Sequence, residues 1–199
     1  MGAQLGLLLA EASHGDLQAY IDEKNALIDI PLRKKWCLQI AESIAYLHEN
    51  GVIHSDLRPD NFLVHATTST SFDLWLCDFG GSMCQELDLD GGHLPDDPFF
   101  DPTQACVSTP ATDIFSLGSI FYTILTGRWP YRPSGPFKTA EDKYEYQRMV
   151  NSLFRQRKFP DVTGLIGGRV VMGCWTKKYG TVQGILHALE VEMPIDDDK

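Results

Sequence analysis

The run TDIFSLGSIFYTILTG, residues 112–127, limits the folds open to this chain more than any other stretch. It is apolar on almost every side, so a helix there has no face to give to solvent and belongs in the middle of a core. The remaining elements must wrap it. A chain of 199 residues with 43% hydrophobic content can supply a core of that kind.

The wrapping elements are readable by pattern. DLQAYIDEKN, opened by Gly15-Asp16, reads as a short helix. PLRKKWCLQIAESIAYLHENG reads as a longer one, with Pro31 at its first position, Trp36, Ile40, Ile44 and Leu47 at helical spacing, and Gly51 as the stop. Short strands follow at Val52-Ile53, Phe62–Val64 and Leu74–Cys77, the last two forming a hairpin across ATTSTS. Residues 80–110 carry no regular period, and a structureless stretch of that length in a compact chain is usually functional or disordered. Three further helices are expected over 140–157, 164–175 and 181–190. No internal repeat or dividing linker is visible.

Composition narrows the function classes. A net charge of −10 argues against a nucleic-acid or anionic-membrane partner, since both need a basic surface. The five cysteines, odd in number and without a C-x-x-C pair, fit reduced thiols in an intracellular protein, cytoplasmic or nuclear. The six histidines show no metal-binding spacing. The start, MGAQLGLLLAEAS, lacks the basic region of a signal peptide, and Gly6 stands where a myristoylation signal wants Ser or Thr. Leu5–Ala10 reads as a buried strand, and no transmembrane segment follows.

The chemistry concentrates in VIHSDLRPDNFLV, residues 52–64. Asp56 can orient or deprotonate a hydroxyl nucleophile, Arg58 can steady a transferring phosphate, and Asn61 offers an amide oxygen to a metal. Asp78, where LWLCD runs into Phe79-Gly80-Gly81, adds a second hard-metal ligand, so Asn61 and Asp78 make a plausible Mg²⁺ site.

These residues resemble the protein kinase family. His54-Ser55-Asp56-Leu57-Arg58-Pro59-Asp60-Asn61 matches its catalytic loop H-R-D-L-x-x-x-N, and Asp78-Phe79-Gly80 matches its D-F-G. Asp113, Ser116 and Gly118 fall at D-x-[WF]-S-x-G positions, where the family's aspartate braces the catalytic-loop backbone. GCWTKKY around Trp175 resembles the start of the last helices. LLLAEASHGDLQAYI resembles the hinge, and there the backbone of Ala10 and Ala12 would meet adenine and Asp16 would sit near the ribose. Pro59 favours the serine/threonine branch. The resemblance implies an α+β, mainly helical fold: a kinase-like large lobe whose short β-hairpins carry the catalytic loop. It implies ATP and Mg²⁺ as cofactors and a protein substrate.

Three departures qualify it. Only fifteen residues precede Asp16, so the small lobe, with its G-x-G-x-x-G loop and V-A-x-K lysine, is expected to be missing from this sequence. The expected layout is a hinge plus large lobe over 1–191 and an acidic tail over 192–199, a truncated kinase domain or one whose small lobe a partner supplies. Second, Ser55 replaces the arginine that binds an activation-segment phosphate, and residues 78–111 hold no Lys or Arg, so activation by loop phosphorylation is not expected. Third, A-P-E has only Asp101-Pro102-Thr103 as substitute, and its usual arginine partner is missing after Trp175. Asp101 with Lys178 is the reduced pair the sequence suggests. His54 reads as a packing residue. The leading reading is ATP-dependent phosphoryl transfer to protein Ser/Thr hydroxyls. The alternatives are a pseudokinase-type interaction module, docking through its acidic loop or its Lys143–Lys158 helix, and a small-molecule phosphotransferase sharing H-x-D-x-x-x-x-N.

Overall fold

Six α-helices and five short strands arise in the computed structural model, which describes residues 10–68 and 71–194. They are α1 (Leu17–Lys24), α2 (Ile30–Glu49), β1 (Val52–Ile53), β2 (Phe62–Ala66), β3 (Phe72–Leu76), β4 (Met83–Cys84), β5 (Leu89–Asp90), α3 (Pro110–Thr126), α4 (Ala140–Arg155), α5 (Gly168–Trp175) and α6 (Val182–Glu192). The chain is mainly helical, as expected. None of the described helices is long and apolar enough to cross a membrane.

α3 is the apolar run, and it does occupy the middle. Thr109 and Thr112 close a capping box around Pro110, and left-handed Gly127 ends the helix. Leu117, Ile120 and Phe121 are fully buried, each contributing about 1.5–3 kcal/mol by leaving water. Gly118 lets α5 approach: a Cβ there would stand 2.9 Å from Cys174 Cβ and 3.0 Å from Trp175 Cδ1. The helix's hydroxyls face inward with partners. Ser116 Oγ donates to Phe99 O and Ser119 Oγ to Pro98 O, both at 2.6 Å, while Trp175 Nε1 donates to Ser119 Oγ at 3.0 Å.

α2 packs beside α3 and α6 and buries Trp36, Cys37, Ile40, Ala41 and Ile44, and Asp29 caps it at Leu32 N. Its buried Arg33 satisfies one carbonyl at the end of α3 by donating to Ile124 O, and it also donates to Asn25 Oδ1 at 2.6 Å. The strands make two small sheets, the hairpin β2–β3 and a three-stranded sheet in the order β1-β4-β5.

Three expectations shift. The helix read from residue 164 begins at Gly168, because Gly164 and Gly167 are both left-handed, at φ +74° and +72°, and α-helix cannot run through them. The GCWTKKY stretch closes α5 at Trp175 rather than opening the last helices, and α6 runs to Glu192, across the expected start of the acidic tail. The strand read over Leu5–Ala10 lies outside the described residues, save for Ala10, which is in no strand.

Candidate active site

The polar loop leaves β1 and is held by one carboxylate. Asp113, fully buried in the first turn of α3, accepts from Ser55 N through Oδ1 and from His54 N through Oδ2, both at 2.9 Å. His48 Nε2, at the end of α2, meets the same Oδ2 at 2.9 Å. Two backbone donors and an imidazole thus compensate a charge that would otherwise be costly to bury. The anchored backbone is strained: Ser55 is left-handed at φ +71°, and its Oγ has only Ile53 O at 3.4 Å. His54, also fully buried, bonds Cys77 O through Nε2 at 3.1 Å and lies 5.3 Å from the Phe79 ring. It joins the loop to the Asp78 turn as a packing residue.

Asn61 and Asp78 come together through strand register. Phe62 pairs with Leu76, and Cys77 N donates to Asn61 O at 3.0 Å, so both residues stand at one end of the β2–β3 hairpin. Asn61 Nδ2 donates to Asp56 O at 2.7 Å, leaving the amide oxygen as the atom to face a cation. Asp78 is exposed and left-handed at φ +58°, and it accepts from Gly80 N. One carboxylate and one amide oxygen are the hard donors Mg²⁺ takes, with phosphate oxygens completing its shell. Burial pushes the neighbouring Cys77 thiol up, and the charges of Asp78 and Asp16 push it further, so it stays protonated.

Asp56 itself is 5% exposed, and its Oδ1 has no hydrogen-bond partner among the described residues. Half-buried Arg58 follows two residues on, its Nε also unpartnered. The expected nucleotide residues flank β2. His14 N donates to Val64 O, Val64 N to Gly15 O and Ala66 N to Ser13 Oγ, which lays residues 13–16 beside the strand. Ala12 is half-buried and Ala10 exposed. Asp16 takes on a capping task that the resemblance did not suggest, accepting from Ala19 N at the start of α1 at 2.8 Å.

The expected Asp101–Lys178 pair does not form. Asp101, 1% exposed, instead meets Lys177 Nζ at 3.1 Å and Arg157 Nη1 at 3.4 Å, and accepts from Thr103 N and Oγ1. The chain turns at left-handed Lys177, φ +60°, which sends that side chain to Asp101 and leaves the Lys178 ammonium over the Tyr179 ring. Burial alone would raise the Asp101 carboxyl. The Thr103 amide and hydroxyl and the Lys177 ammonium outweigh it and hold the group below the usual carboxylate range. Sequence reasoning also missed His48 and His93, the latter with Nε2 3.8 Å from Asp56 Oδ2. These contacts join residues tens of positions apart, and no local spacing signals them.

Comparison with known proteins gives a consistent picture. The protein kinase domain model matches residues 3–164. Calcium/calmodulin-dependent protein kinase type IV of Mus musculus is 30% identical over 151 residues, 74% of this chain and 31% of that protein. Serine/threonine-protein kinase SBK2 of Homo sapiens is 32% identical over 143 residues, 66% of this chain and 38% of its own length. Probable serine/threonine-protein kinase gdt4 of Dictyostelium discoideum is 28% identical, over 85% of this chain and 10% of its own. The chain thus spans well under half the length of these relatives.

Proposed function

The chain belongs to the protein kinase domain family, and from that premise we propose that it serves ATP-dependent phosphoryl transfer to Ser or Thr hydroxyls of a protein substrate. Asp56 receives the hydroxyl proton, and Arg58 places a positive charge near the moving phosphate. Asn61 and Asp78 hold Mg²⁺, which when bound offsets negative charge on the ATP phosphates. Residues 10–16 are the nucleotide side, with the Ala10 and Ala12 backbone toward adenine and Asp16 toward the ribose. Residues 1–191 are the hinge and large-lobe part of the domain. The five free cysteines favour a reducing intracellular compartment.

The observation that carries this reading is the joint anchoring of the loop. Asp113 grips the His54 and Ser55 amides while Asn61 grips Asp56 O, so the base and a metal ligand are fixed in one rigid turn beside Asp78. Preorganisation of that kind is what phosphoryl transfer draws on. The pseudokinase-type alternative draws support from the burial of Asp56.

Thermal-shift titration with Mg²⁺–ATP, paired with transfer of labelled phosphate to a mixed protein acceptor, tests the assignment. Wild-type chain is stabilised by Mg²⁺–ATP, and Asp78→Asn abolishes the shift. Asp56→Asn keeps the shift and loses transfer by about 10²–10⁴-fold, the usual contribution of a general base. Absence of any shift in the wild-type chain puts the interaction module ahead.

A further inference from the structure

We propose that Gln39 is a positioning residue for the metal site: by clasping the outer edge of β3 it holds Asp78 beside Asn61. The inference rests on the assignment of Asn61 and Asp78 as ligands of Mg²⁺. It starts from the small size of their platform. β2 and β3 pair only with each other among the described strands, and a two-stranded sheet is marginal in water by itself. The pair therefore needs a hold from outside its ladder. On the β2 side the preceding chain provides one, since His14 N donates to Val64 O and Val64 N to Gly15 O. On the β3 side the task falls to side chains of α2.

Along an antiparallel ladder, alternate residues turn their backbone groups away from the partner strand. Cys77 N points inward, to Asn61 O, so Phe72 and Leu74 present theirs outward. α2 meets both. Trp36 Nε1 donates to Phe72 O at 3.2 Å, and Leu74 N donates to Gln39 Oε1 at 3.1 Å. Residues three apart on a helix share a face, so Trp36 and Gln39 reach the same edge. The other end of the Gln39 amide, Nε2, donates to Asp73 Oδ1 at 2.9 Å. One planar group thus engages a donor and an acceptor on consecutive residues of β3, which fixes the strand along its axis as well as against the helix. Lys35 Nζ also meets Asp73 Oδ1, at 2.5 Å, but its partners on β3 and the turn before it are side chains, Asp73 and Ser71.

The hold reaches the site through few residues. Leu76 pairs with Phe62, Cys77 N closes the ladder on Asn61 O, and Asp78 follows directly. Among the described residues the Asp78 carboxylate accepts only from Gly80 N, so its place is set by the strand that delivers it. A shift of β3 at Leu74 moves Asp78 relative to Asn61. The same helix carries His48, nine residues after Gln39 and about 13–14 Å further along the axis. α2 therefore ties both halves of the site: His48 through Asp113 to the loop of Asp56, and Gln39 through β3 to Asp78.

Amide hydrogen exchange on the full chain, read residue by residue by NMR, tests the clasp. Gln39→Leu frees Leu74 N directly, so the informative amide is Cys77, three residues on. Its exchange should rise roughly three- to tenfold, the effect of one hydrogen bond on a local opening equilibrium. Lys35→Ala removes the ion pair to Asp73 and leaves Leu74 N bonded, so Cys77 should keep its wild-type rate. The slow amides of α3 should be unchanged in both variants. In thermal-shift titration Gln39→Leu should need more Mg²⁺–ATP by a similar factor, and Lys35→Ala should not. A Cys77 rate unchanged in Gln39→Leu, or raised equally in Lys35→Ala, overturns the proposal. So does faster exchange of α3 in step with Cys77, which marks general unfolding. A wild-type chain that shows no shift with Mg²⁺–ATP defeats the metal assignment instead. The exchange rates are measured without nucleotide, so the two failures are told apart.

Discussion

Asp113 and Asp101 are both buried carboxylates that pin a functional segment, yet they hold it by different means. Asp113 grips the catalytic loop through backbone amides of that same loop, within a closed cage completed by His48. Asp101 anchors the end of the 78–110 segment through Lys177 and Arg157, side chains that are 43% and 44% exposed and reach in from distant turns. Backbone donors lose little freedom on bonding, because the fold has already placed them. Long cationic side chains give up rotamers and can be rehydrated if released. The first arrangement makes a rigid turn, and the second leaves a segment that can be redirected.

The largest expected effect comes from breaking the rigid side. Asp113→Ala leaves two buried amides and an imidazole without an acceptor, and breaking a buried charge's partners in this way should cost about 3–5 kcal/mol in urea unfolding. Equal stability of this variant and wild type would mean that water or another side chain replaces the carboxylate. Asp101→Ala should cost less, about 1–2 kcal/mol, because its cations return to solvent. Limited proteolysis should show the damage concentrated near residues 95–110. Lys177→Ala should reproduce part of this loss, whereas Lys178→Ala should stay within about 0.5 kcal/mol of wild type. An equal effect of the two lysines would reopen the pairing that sequence alone suggested.

A pH titration sharpens the same comparison. The Asp101 carboxyl sits below its unfolded value, so its stabilisation is fully present above that value, near pH 4. It is lost as pH falls further through the folded pKa. Asp101→Asn should therefore show a shallower decline in melting temperature below about pH 4 than the wild type. The smallest effect concerns Ser55. Its left-handed backbone costs a non-glycine residue about 1 kcal/mol, and the one bond of its hydroxyl is long at 3.4 Å. Ser55→Gly should thus raise stability by a few tenths to about 1 kcal/mol in the same unfolding measurement.

Much of the catalytic half was legible because its signals are local. Pro110 with Thr109, the stop at Gly127 and the all-round apolar run identify α3 without reference to the rest of the fold. The spacing from Asp56 to Asn61 likewise lies within one loop. Gly164–Trp175 was harder: its apolar content reads as helix, and only the left-handed Gly164 and Gly167 show that the helix starts late. The approach of His93 to Asp56 was not legible at all. DLDGGHLP looks like an irregular acidic turn, and its histidine gains meaning from Asp56, thirty-seven positions earlier in the chain.

The sequence by itself determined that a fully apolar helix must be central, that Asp56, Arg58, Asn61 and Asp78 are candidates for one site, and that residues 78–110 supply no Lys or Arg to hold a phosphate. Those conclusions follow from residue type and short spacing, which the chain carries unfolded. Tertiary structure alone decided which cations meet Asp101, that His48 completes the Asp113 cage, and that His93 comes near Asp56. Such contacts are set by how helices and turns pack across long separations, and packing geometry is a property of the whole fold.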